Sequence, residues 1–424
     1  MKVSRFAFLG ALGGAAAAAA ATRAQAALPP WYPLPPPLKP RLPTRALVLS
    51  GAGARGAYEA GVMKWLYRNI DAEQPYDFVS GTSAGAINAS FAARATSASI
   101  AQAAQLWLGM PQAGVMTLIP PAQHAVNAAD QFQESTEHGY PRKLRYLSKA
   151  NSEIKAMGPK EDLVKIMGVV SSDGIDGLVK KYPFTIAEMK TGLIINATNM
   201  TRFSSDSFYH FTGSAAAAQQ ATFLTRMSLT SSNVAGPAVQ PTGQRYALNE
   251  SNLIPAVLGS AAVPGVFQPV EVPIAETGNS DLYVDGGVAN NTPISTAVAA
   301  GATDVTVVIS SAPGEGMQKQ PDSLPRLLQG SFAVIQRELL EDDIRLSLAR
   351  NILSRYRDYH GLNERTIAVL HSIQMTEWVP VTLRIIRPSK PLTLTAVGFD
   401  NGPELQAAFD QGYADAQNPA IFQA

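Results

Sequence analysis

The fold is decided by residues 76–85, which read YDFVSGTSAG. A short apolar run leads into Gly81-Thr82-Ser83-Ala84-Gly85, and a small-residue segment follows from Ala86 to about Ala95. We interpret this order as a strand, a tight turn and a helix. A G-x-S-x-G pattern in this context is typical of a nucleophile elbow, because only small neighbours fit beside a serine on such a turn. The bare pattern also fits a glycine-rich turn with no catalytic role.

The residues before the elbow repeat the same alternation of elements. Residues 46–50 read ALVLS, an apolar run that predicts a strand buried on both faces. Between Tyr58 and Ile70, apolar residues recur at spacings of three and four, which predicts a helix. Strand, helix, strand and helix in succession predict an α/β fold with a mostly parallel sheet. Later strands are predicted at residues 193–198, 281–284, 305–309 and 381–386, and a helix at residues 252–262.

A glycine-rich stretch, GAGARG at residues 51–56, joins the first strand to the first helix. Its G-x-G-x-x-G pattern fits a dinucleotide site, with Asp71 or Glu73 near the spacing expected for the ribose ligand. These acidic residues, however, close a helix and not a strand. The other hypothesis is an oxyanion hole, in which unhindered backbone N–H groups face a developing negative charge. We favour it because the serine elbow follows. Its members are then Gly51, Ala52, Gly53 and Ala84.

A third stretch, Asp285-Gly286-Gly287, follows the predicted strand at residues 281–284. A carboxylate at the end of a strand, with two glycines that permit close approach to another loop, is well placed to accept a proton from Ser83. An Asp-Gly hairpin turn is the alternative interpretation. The three stretches together favour a catalytic role for Asp285, because α/β sheets gather their sites at strand ends.

Four blocks of the chain, in order, resemble those of the patatin-like phospholipase family. The first two are LVLSGAGARGAYEAGV at residues 47–62 and the elbow at residues 81–85. The third is SAAVPGVF at residues 260–267, and the fourth is DGGVANNTP at residues 285–293. The resemblance runs from about residue 46 to residue 310, with a weaker part at residues 399–416. Within these blocks it indicates the following supporting residues: Arg55, Gly56, Gly81, Gly85, Gly286 and Gly287.

The resemblance implies a patatin-like three-layer α/β/α sandwich around a mostly parallel sheet, here with a helical insertion. It implies hydrolysis of acyl esters of phospholipids or other lipids, with Ser83 and Asp285 as a catalytic dyad. It implies neither a metal nor another cofactor. One departure is Ala52, which stands where the family usually has the middle one of three glycines. Its methyl group is expected to narrow the acyl pocket or to tilt an N–H donor.

The composition excludes several other classes of protein. Lys and Arg number 34 and Asp and Glu number 33, so no overall field gathers nucleic acid. A transient contact with a membrane surface must therefore be local or apolar. The absence of cysteine excludes disulfides, a cysteine nucleophile and thiolate metal sites. The expected partner is a lipid or acyl-ester substrate.

The N-terminal residues predict export. Lys2 and Arg5 precede an apolar run, and Ala24-Gln25-Ala26 supplies small residues for cleavage, which is typical of a signal peptide over residues 1–26. Residues 27–44 are rich in proline and predict a stiff linker. The acyl hydrolase domain then covers residues 45–424, with an insertion at about 111–183 and a C-terminal extension at about 320–424. Export places the protein in the periplasm, at the outer membrane surface or outside the cell.

Two other functions fit part of the sequence. An α/β-hydrolase triad requires the chain order Ser, Asp, His, which Ser83, Asp285 and either His360 or His371 satisfy. A non-catalytic exported lipid-binding protein is the other candidate. Ala52 favours this second candidate, whereas the presence of both Ser83 and Asp285 argues against it.

Overall fold

The computed structural model describes residues 44–69, 76–115, 173–228, 243–313, 315 and 380–422, together with single helical residues between 334 and 351. The predicted signal peptide, the linker up to residue 43 and residues 116–172 of the predicted insertion lie outside the described residues. The same holds for the acids of the dinucleotide hypothesis and the histidines of the triad hypothesis: Asp71, Glu73, His360 and His371.

The strands of the described residues form one ten-stranded sheet. Their bounds are β1 Arg45–Leu49, β2 Phe78–Thr82, β3 Gly192–Asn199, β4 Ser204–His210, β5 Arg245–Ala247, β6 Val270–Ile274, β7 Asn279–Val284, β8 Asp304–Val308, β9 Thr382–Ile386 and β10 Ala420–Phe422. Eight strands lie in the order β10-β9-β8-β1-β2-β3-β4-β5, while β7 pairs with β3 and with β6.

The centre of the sheet is parallel and its margins are mixed. Strands β9, β8, β1, β2 and β3 run in the same direction. Strand β4 is antiparallel to β3, and β10 is antiparallel to β9. Strands β6 and β7 form an antiparallel hairpin that joins the carboxyl end of β3 through the pairs Thr198–Val284 and Asn199–Tyr283. The prediction of a mostly parallel sheet is thus confirmed.

Helices connect these strands and cover both faces of the sheet. Their bounds are α1 Gly56–Asn69, α2 Ala84–Ala92, α3 Ser97–Leu108, α4 Met110–Ala113, α5 Asp173–Lys181, α6 Ala216–Ser228, α7 Leu253–Ser260, α8 Ile294–Ala299 and α9 Gly402–Asp415. Among the described helices, none combines the length and the apolar character that crossing a bilayer requires.

Alternate residues of β1 face two separate apolar cores. Leu47 and Leu49 pack into a core that includes buried residues of α1, α2, α3, α7 and α9. Ala46 and Val48 pack into a second core with Phe223 of α6 and with residues of α8. Side chains on both faces of a parallel strand are therefore covered, as the continuous apolar run in the sequence predicts. The three-layer α/β/α sandwich is confirmed.

Four strands were not predicted: β4, β5, β6 and β10. The stretch before residue 247 was expected to be loop or surface helix, and it contains both α6 and the short strand β5. Strand β4 reads SSDSFYH, a largely polar sequence that lacks the apolar run of a core strand. Its partner β3, with eight buried residues, supplies the pairing that the local sequence of β4 does not indicate.

Candidate active site

Ser83 occupies a strained turn between β2 and α2. Its backbone has φ 57° and ψ −126°, a conformation that costs a non-glycine residue on the order of 1–3 kcal/mol. The neighbouring chain leaves no room for side chains at the flanking glycines. A Cβ atom on Gly81 would stand 2.2 Å from the carbonyl oxygen of Gly85, and a Cβ atom on Gly85 would stand 2.3 Å from that of Leu49. The G-x-S-x-G spacing is therefore a steric requirement of this turn.

Ser83 and Asp285 are in direct contact. The Ser83 hydroxyl donates to Asp285 Oδ2 over 2.5 Å, and both residues are buried. The other carboxylate oxygen, Oδ1, accepts the backbone N–H of Gly287 over 2.7 Å. Burial raises the pKa of Asp285 from 3.8 to about 6, while the hydrogen bonds from Ser83 and Gly287 oppose this increase. A carboxylate with this pKa is ionised at neutral pH and is more basic than one in water.

Asp285 reaches Ser83 by a route that the sequence did not predict. It was expected at the end of a buried strand of a parallel sheet, but β7 is antiparallel to β3 and only its last two residues are buried. The pairing of Val284 with Thr198 places the end of β7 beside the carboxyl end of β3. Thr198 Oγ1 donates to the backbone oxygen of Asp285 over 2.9 Å. Gly286 packs closely against Asn196: a Cβ atom on Gly286 would stand 2.2 Å from the carbonyl oxygen of Asn196.

The glycine-rich loop lies beside the Ser83 side chain. A Cβ atom on Gly51 would stand 3.3 Å from the Cβ atom of Ser83. The N–H of Gly51 donates to the backbone oxygen of Asn291 over 2.8 Å. Gly51 is therefore not a free donor, contrary to the prediction. By contrast, the N–H groups of Ala52 and Gly53 have no acceptor in the described part of the chain. Two of the three loop donors that were predicted therefore remain unpaired.

A third unpaired donor lies at the start of α2. Ser83 is the N-cap residue, and the N–H of Ala84 has no acceptor among the residues that the structure describes. The first N–H groups of a helix carry a partial positive charge, which favours an anion at that position. The Ala84 donor and the loop donors thus lie on chain segments that meet at Ser83.

Residues near the C-terminus hold the glycine-rich loop in place. The N–H of Ala54 donates to Ala396 O over 2.8 Å, and Arg55 Nε donates to Leu394 O over 2.7 Å. The same guanidinium forms a 2.7 Å ion pair with Glu315. Gly53 has φ +56°, and a Cβ atom there would stand 2.2 Å from Ala396 O, so only glycine fits. Next along the chain, Gly56 lies directly against the ring of Trp107.

Several residues that join these loops were not predicted. Asn291 holds both backbone groups of Gly51, with its side-chain Nδ2 donating to Gly51 O over 3.3 Å. Thr82 Oγ1 donates to Asn290 O over 2.9 Å. Asn196 Nδ2 donates to the backbone oxygen of Gly81, the first residue of the elbow, over 3.1 Å. Asn196 gave one signal in the sequence, since it is a polar residue within an apolar strand.

Histidine and metal ligands are not part of this site as far as the chain is described. His210 pairs with Leu193 near the amino end of β3, opposite the carboxyl end where Ser83 lies. The described residues contain no group of three His, Asp or Glu side chains that could hold a metal ion.

The comparisons with known proteins define the class. The family model of patatin-like phospholipases matches residues 47–298, more than half of the chain, which includes the elbow, the glycine-rich loop and Asp285. The chain therefore belongs to the patatin-like phospholipase family and is a lipid acyl hydrolase.

Several solved structures are similar to this chain. The crystal structure of VipD from Legionella pneumophila has a TM-score of 0.36 and 13% sequence identity, and the match covers 90% of this chain and 68% of that one. No curated protein matches the chain.

Proposed function

We propose that the protein cleaves acyl esters of lipids through a Ser83–Asp285 dyad, an acyl-enzyme intermediate and a backbone oxyanion hole. The observation that carries this proposal is the buried 2.5 Å hydrogen bond from Ser83 Oγ to Asp285 Oδ2. Ser83 is the nucleophile and Asp285 is its general base. The phospholipid or other lipid ester is the substrate class that family membership supports.

In the first half-reaction, Asp285 Oδ2 takes the hydroxyl proton of Ser83 while Oγ attacks the ester carbonyl carbon. The carbonyl oxygen becomes an oxyanion, and the unpaired N–H groups of Ala52, Gly53 and Ala84 are the donors available to stabilise it. The tetrahedral intermediate collapses when the bond to the alcohol breaks. The proton held by Asp285 passes to the departing alkoxide, which leaves as the alcohol, and Ser83 retains the acyl group.

In the second half-reaction, water attacks the acyl-enzyme. Asp285 takes one proton from the water, and the new hydroxyl oxygen bonds to the acyl carbon. The bond to Ser83 Oγ then breaks and the proton returns to Oγ. The fatty acid leaves and the enzyme is restored without any redox step or cofactor.

Direct contact between Ser83 and Asp285 favours the dyad over a triad. A triad places an imidazole between the serine and the carboxylate. Here Asp285 Oδ2 accepts directly from Ser83, and Oδ1 accepts from the Gly287 N–H. An imidazole between the two residues would have to displace Ser83 Oγ from Oδ2. The 2.5 Å contact also argues against a non-catalytic lipid-binding protein, because binding alone does not require a serine hydrogen-bonded to a carboxylate.

We also propose that the protein is exported and makes transient contact with a membrane surface. The signal-like residues 1–26 support export. N-terminal sequencing of the exported protein should give a chain that starts at or near Ala27. An exported chain that begins with Met1 would contradict cleavage near Ala27, and retention in the cytoplasm would contradict export, but neither result would affect the proposed chemistry.

Labelling by a fluorophosphonate probe tests the dyad. We expect the wild-type protein to be labelled and to hydrolyse phospholipid, glyceride and short-chain esters to different extents. Ser83→Ala should abolish both labelling and turnover, and Asp285→Asn should reduce turnover by about a thousandfold or more. Ser90→Ala, which removes another buried hydroxyl in α2, is the control and should retain activity. Labelling that persists in Ser83→Ala would place the nucleophile elsewhere.

A histidine test separates the dyad from the triad. His360→Ala and His371→Ala, made singly, should each retain most of the wild-type turnover. A loss of about a thousandfold in either variant, with folding intact by circular dichroism, would replace the dyad by the triad.

A further inference from the structure

The block SAAVPGVF at residues 260–267 has no part in the chemistry proposed above. Helix α7 ends in this block, with Ser260 as its last residue. Its position is fixed by the core, since Leu253, Ala256 and Val257 are all buried. The end of α7 is thus a rigid part of the molecule that contacts the active site.

The Ser260 side chain binds the backbone of the nucleophile. Its hydroxyl accepts the N–H of Ser83 over 2.9 Å and donates to the carbonyl oxygen of Asn196 in β3 over 2.6 Å. Ser260 is completely buried, so water does not compete for either bond. Because the hydroxyl proton is donated to Asn196, the lone pairs of the oxygen face Ser83, and the two bonds polarise each other.

The same helix end also binds the backbone of the general base. Two residues after Ser260, the carbonyl oxygen of Ala262 accepts the N–H of Asp285 over 2.8 Å. The backbone N–H groups of both dyad residues are therefore bound by residues 260–262. Ser83 and Asp285 are 202 positions apart in the chain, and this short segment contacts both of them.

We propose that Ser260 is a positioning residue for the hydrolysis reaction, and that the end of α7 sets the separation between Ser83 Oγ and Asp285 Oδ2. This inference rests on the proposed dyad. Ser83 has φ 57°, and its surroundings must supply the free energy that keeps this conformation. Without Ser260, the buried N–H of Ser83 lacks an acceptor and the peptide rotates towards another one. The side chain moves with the peptide, and a displacement of about 1 Å costs about a hundredfold in rate.

Two substitutions test this role. Ser260→Ala removes the acceptor, and Ser260→Cys keeps the volume while replacing the oxygen by a weak sulfur acceptor. We expect kcat and the rate of fluorophosphonate labelling to fall by about 10- to 100-fold in both variants, with KM within about twofold of wild type. Ser90→Ala is the matched control, because Ser90 is also completely buried in a helix and its hydroxyl also donates to a backbone carbonyl. The control should keep the wild-type labelling rate.

Labelling rates are normalised to the folded fraction from thermal unfolding, so that a destabilised variant still reports on the site. The inference is wrong if both Ser260 variants label at the wild-type rate, or if Ser90→Ala slows labelling equally. A rise in KM at constant kcat would also overturn it, because that change indicates a role in substrate binding. Absence of labelling in the wild-type protein would instead contradict the proposed dyad, which separates the two failures.

Discussion

At the scale of single residues, the Asp285 carboxylate meets two opposing requirements. Its burial raises the cost of ionisation, and its hydrogen bonds with Ser83 and Gly287 reduce that cost. The resulting pKa of about 6 is high enough to make Asp285 a better base than an exposed aspartate. It is also low enough to leave the carboxylate ionised at neutral pH.

The rate should therefore depend on pH through Asp285. Because the proposed base, Asp285, must be ionised, kcat/KM should be constant above pH 7 and should fall about tenfold per pH unit below a pKa of about 6. The measurement is kcat/KM from pH 4.5 to 8, with circular dichroism at each pH to confirm that the protein remains folded. An inflection near pH 4 would show that the carboxylate is exposed to water during the reaction.

At the residue scale, the sequence indicated close approach where a position carries unusual local constraints. The glycines around Ser83 and after Asp285 signalled close approach, and the structure places both side chains in contact. Ser260 and Asn291 could not be assigned a role in this way. A serine at a helix end and an asparagine in a loop are common, and only the three-dimensional structure shows what their side chains bind.

At the scale of secondary-structure elements, the buried carboxylate of Glu59 belongs to a hydrogen-bond network that links helices α1, α2 and α3. Glu59 of α1 is completely buried and accepts hydrogen bonds from Asn88 Nδ2 of α2 over 3.0 Å and from Ser50 Oγ over 3.3 Å. Asn88 Oδ1 in turn accepts the indole N–H of Trp107 in α3 over 2.7 Å. Burial raises the pKa of Glu59 from 4.5 to about 8, so Glu59 is mostly protonated at neutral pH.

Glu59→Gln should change the pH dependence of stability. Between about pH 4.5 and 8 the folded protein retains a proton on Glu59 that the unfolded chain releases. The free energy of unfolding of the wild type therefore falls as pH rises through this window. The neutral amide lacks this dependence, so the Tm of the variant minus that of the wild type should increase from pH 5 to pH 8.

The control for this experiment is Asp410→Asn, which replaces an exposed carboxylate of α9. Its difference in Tm from the wild type should stay constant over the same pH range. A constant difference for Glu59→Gln as well would show that Glu59 is ionised in the folded protein.

The elements that were predicted and those that were missed differ in how their stability arises. Strands β1 and β8 are covered on both faces, and a run of apolar residues reveals them. Strands β4 and β6 lie where the sheet becomes mixed, and each contains residues that are only partly buried. Pairing with β3 and β7, their neighbours in the chain, stabilises them, and the local sequences of β4 and β6 do not reveal this pairing.

At the scale of the whole molecule, the glycine-rich loop depends on residues outside the range of the family match. Ala396 accepts a hydrogen bond from the loop backbone, and Leu394 accepts one from the Arg55 side chain. Glu315 forms the ion pair with Arg55. All three residues follow residue 298, where the match ends. The C-terminal part of the chain thus completes the site that the family sequence blocks begin.

Glu315→Ala should reduce both turnover and stability. The two side chains of the ion pair are only 19% and 13% exposed, so its loss should cost more unfolding free energy than that of an exposed pair, which is about 1 kcal/mol. The Arg55 side chain then loses one of its two anchors, and we expect kcat to fall by about three- to tenfold through displacement of the loop donors. Steady-state kinetics and thermal unfolding measure the two effects.

Asp176→Ala is the matched control, because Asp176 forms an ion pair with Lys180 on α5. It should leave kcat unchanged. Equal kcat values for wild type and Glu315→Ala would show that Leu394 and Ala396 hold the loop without the ion pair.

The contacts between the glycine-rich loop and the C-terminal segment also order events during synthesis. Arg55 and Leu394 are 339 positions apart. At about 5–20 residues per second, a ribosome adds Leu394 about 20–70 seconds after Arg55. During that interval the ribosome makes the segments that contain Ser83 and Asp285, while the loop with the proposed oxyanion donors still lacks its anchor. The growing chain therefore gains full hydrolytic activity only after the segment around Ala396 has left the ribosome.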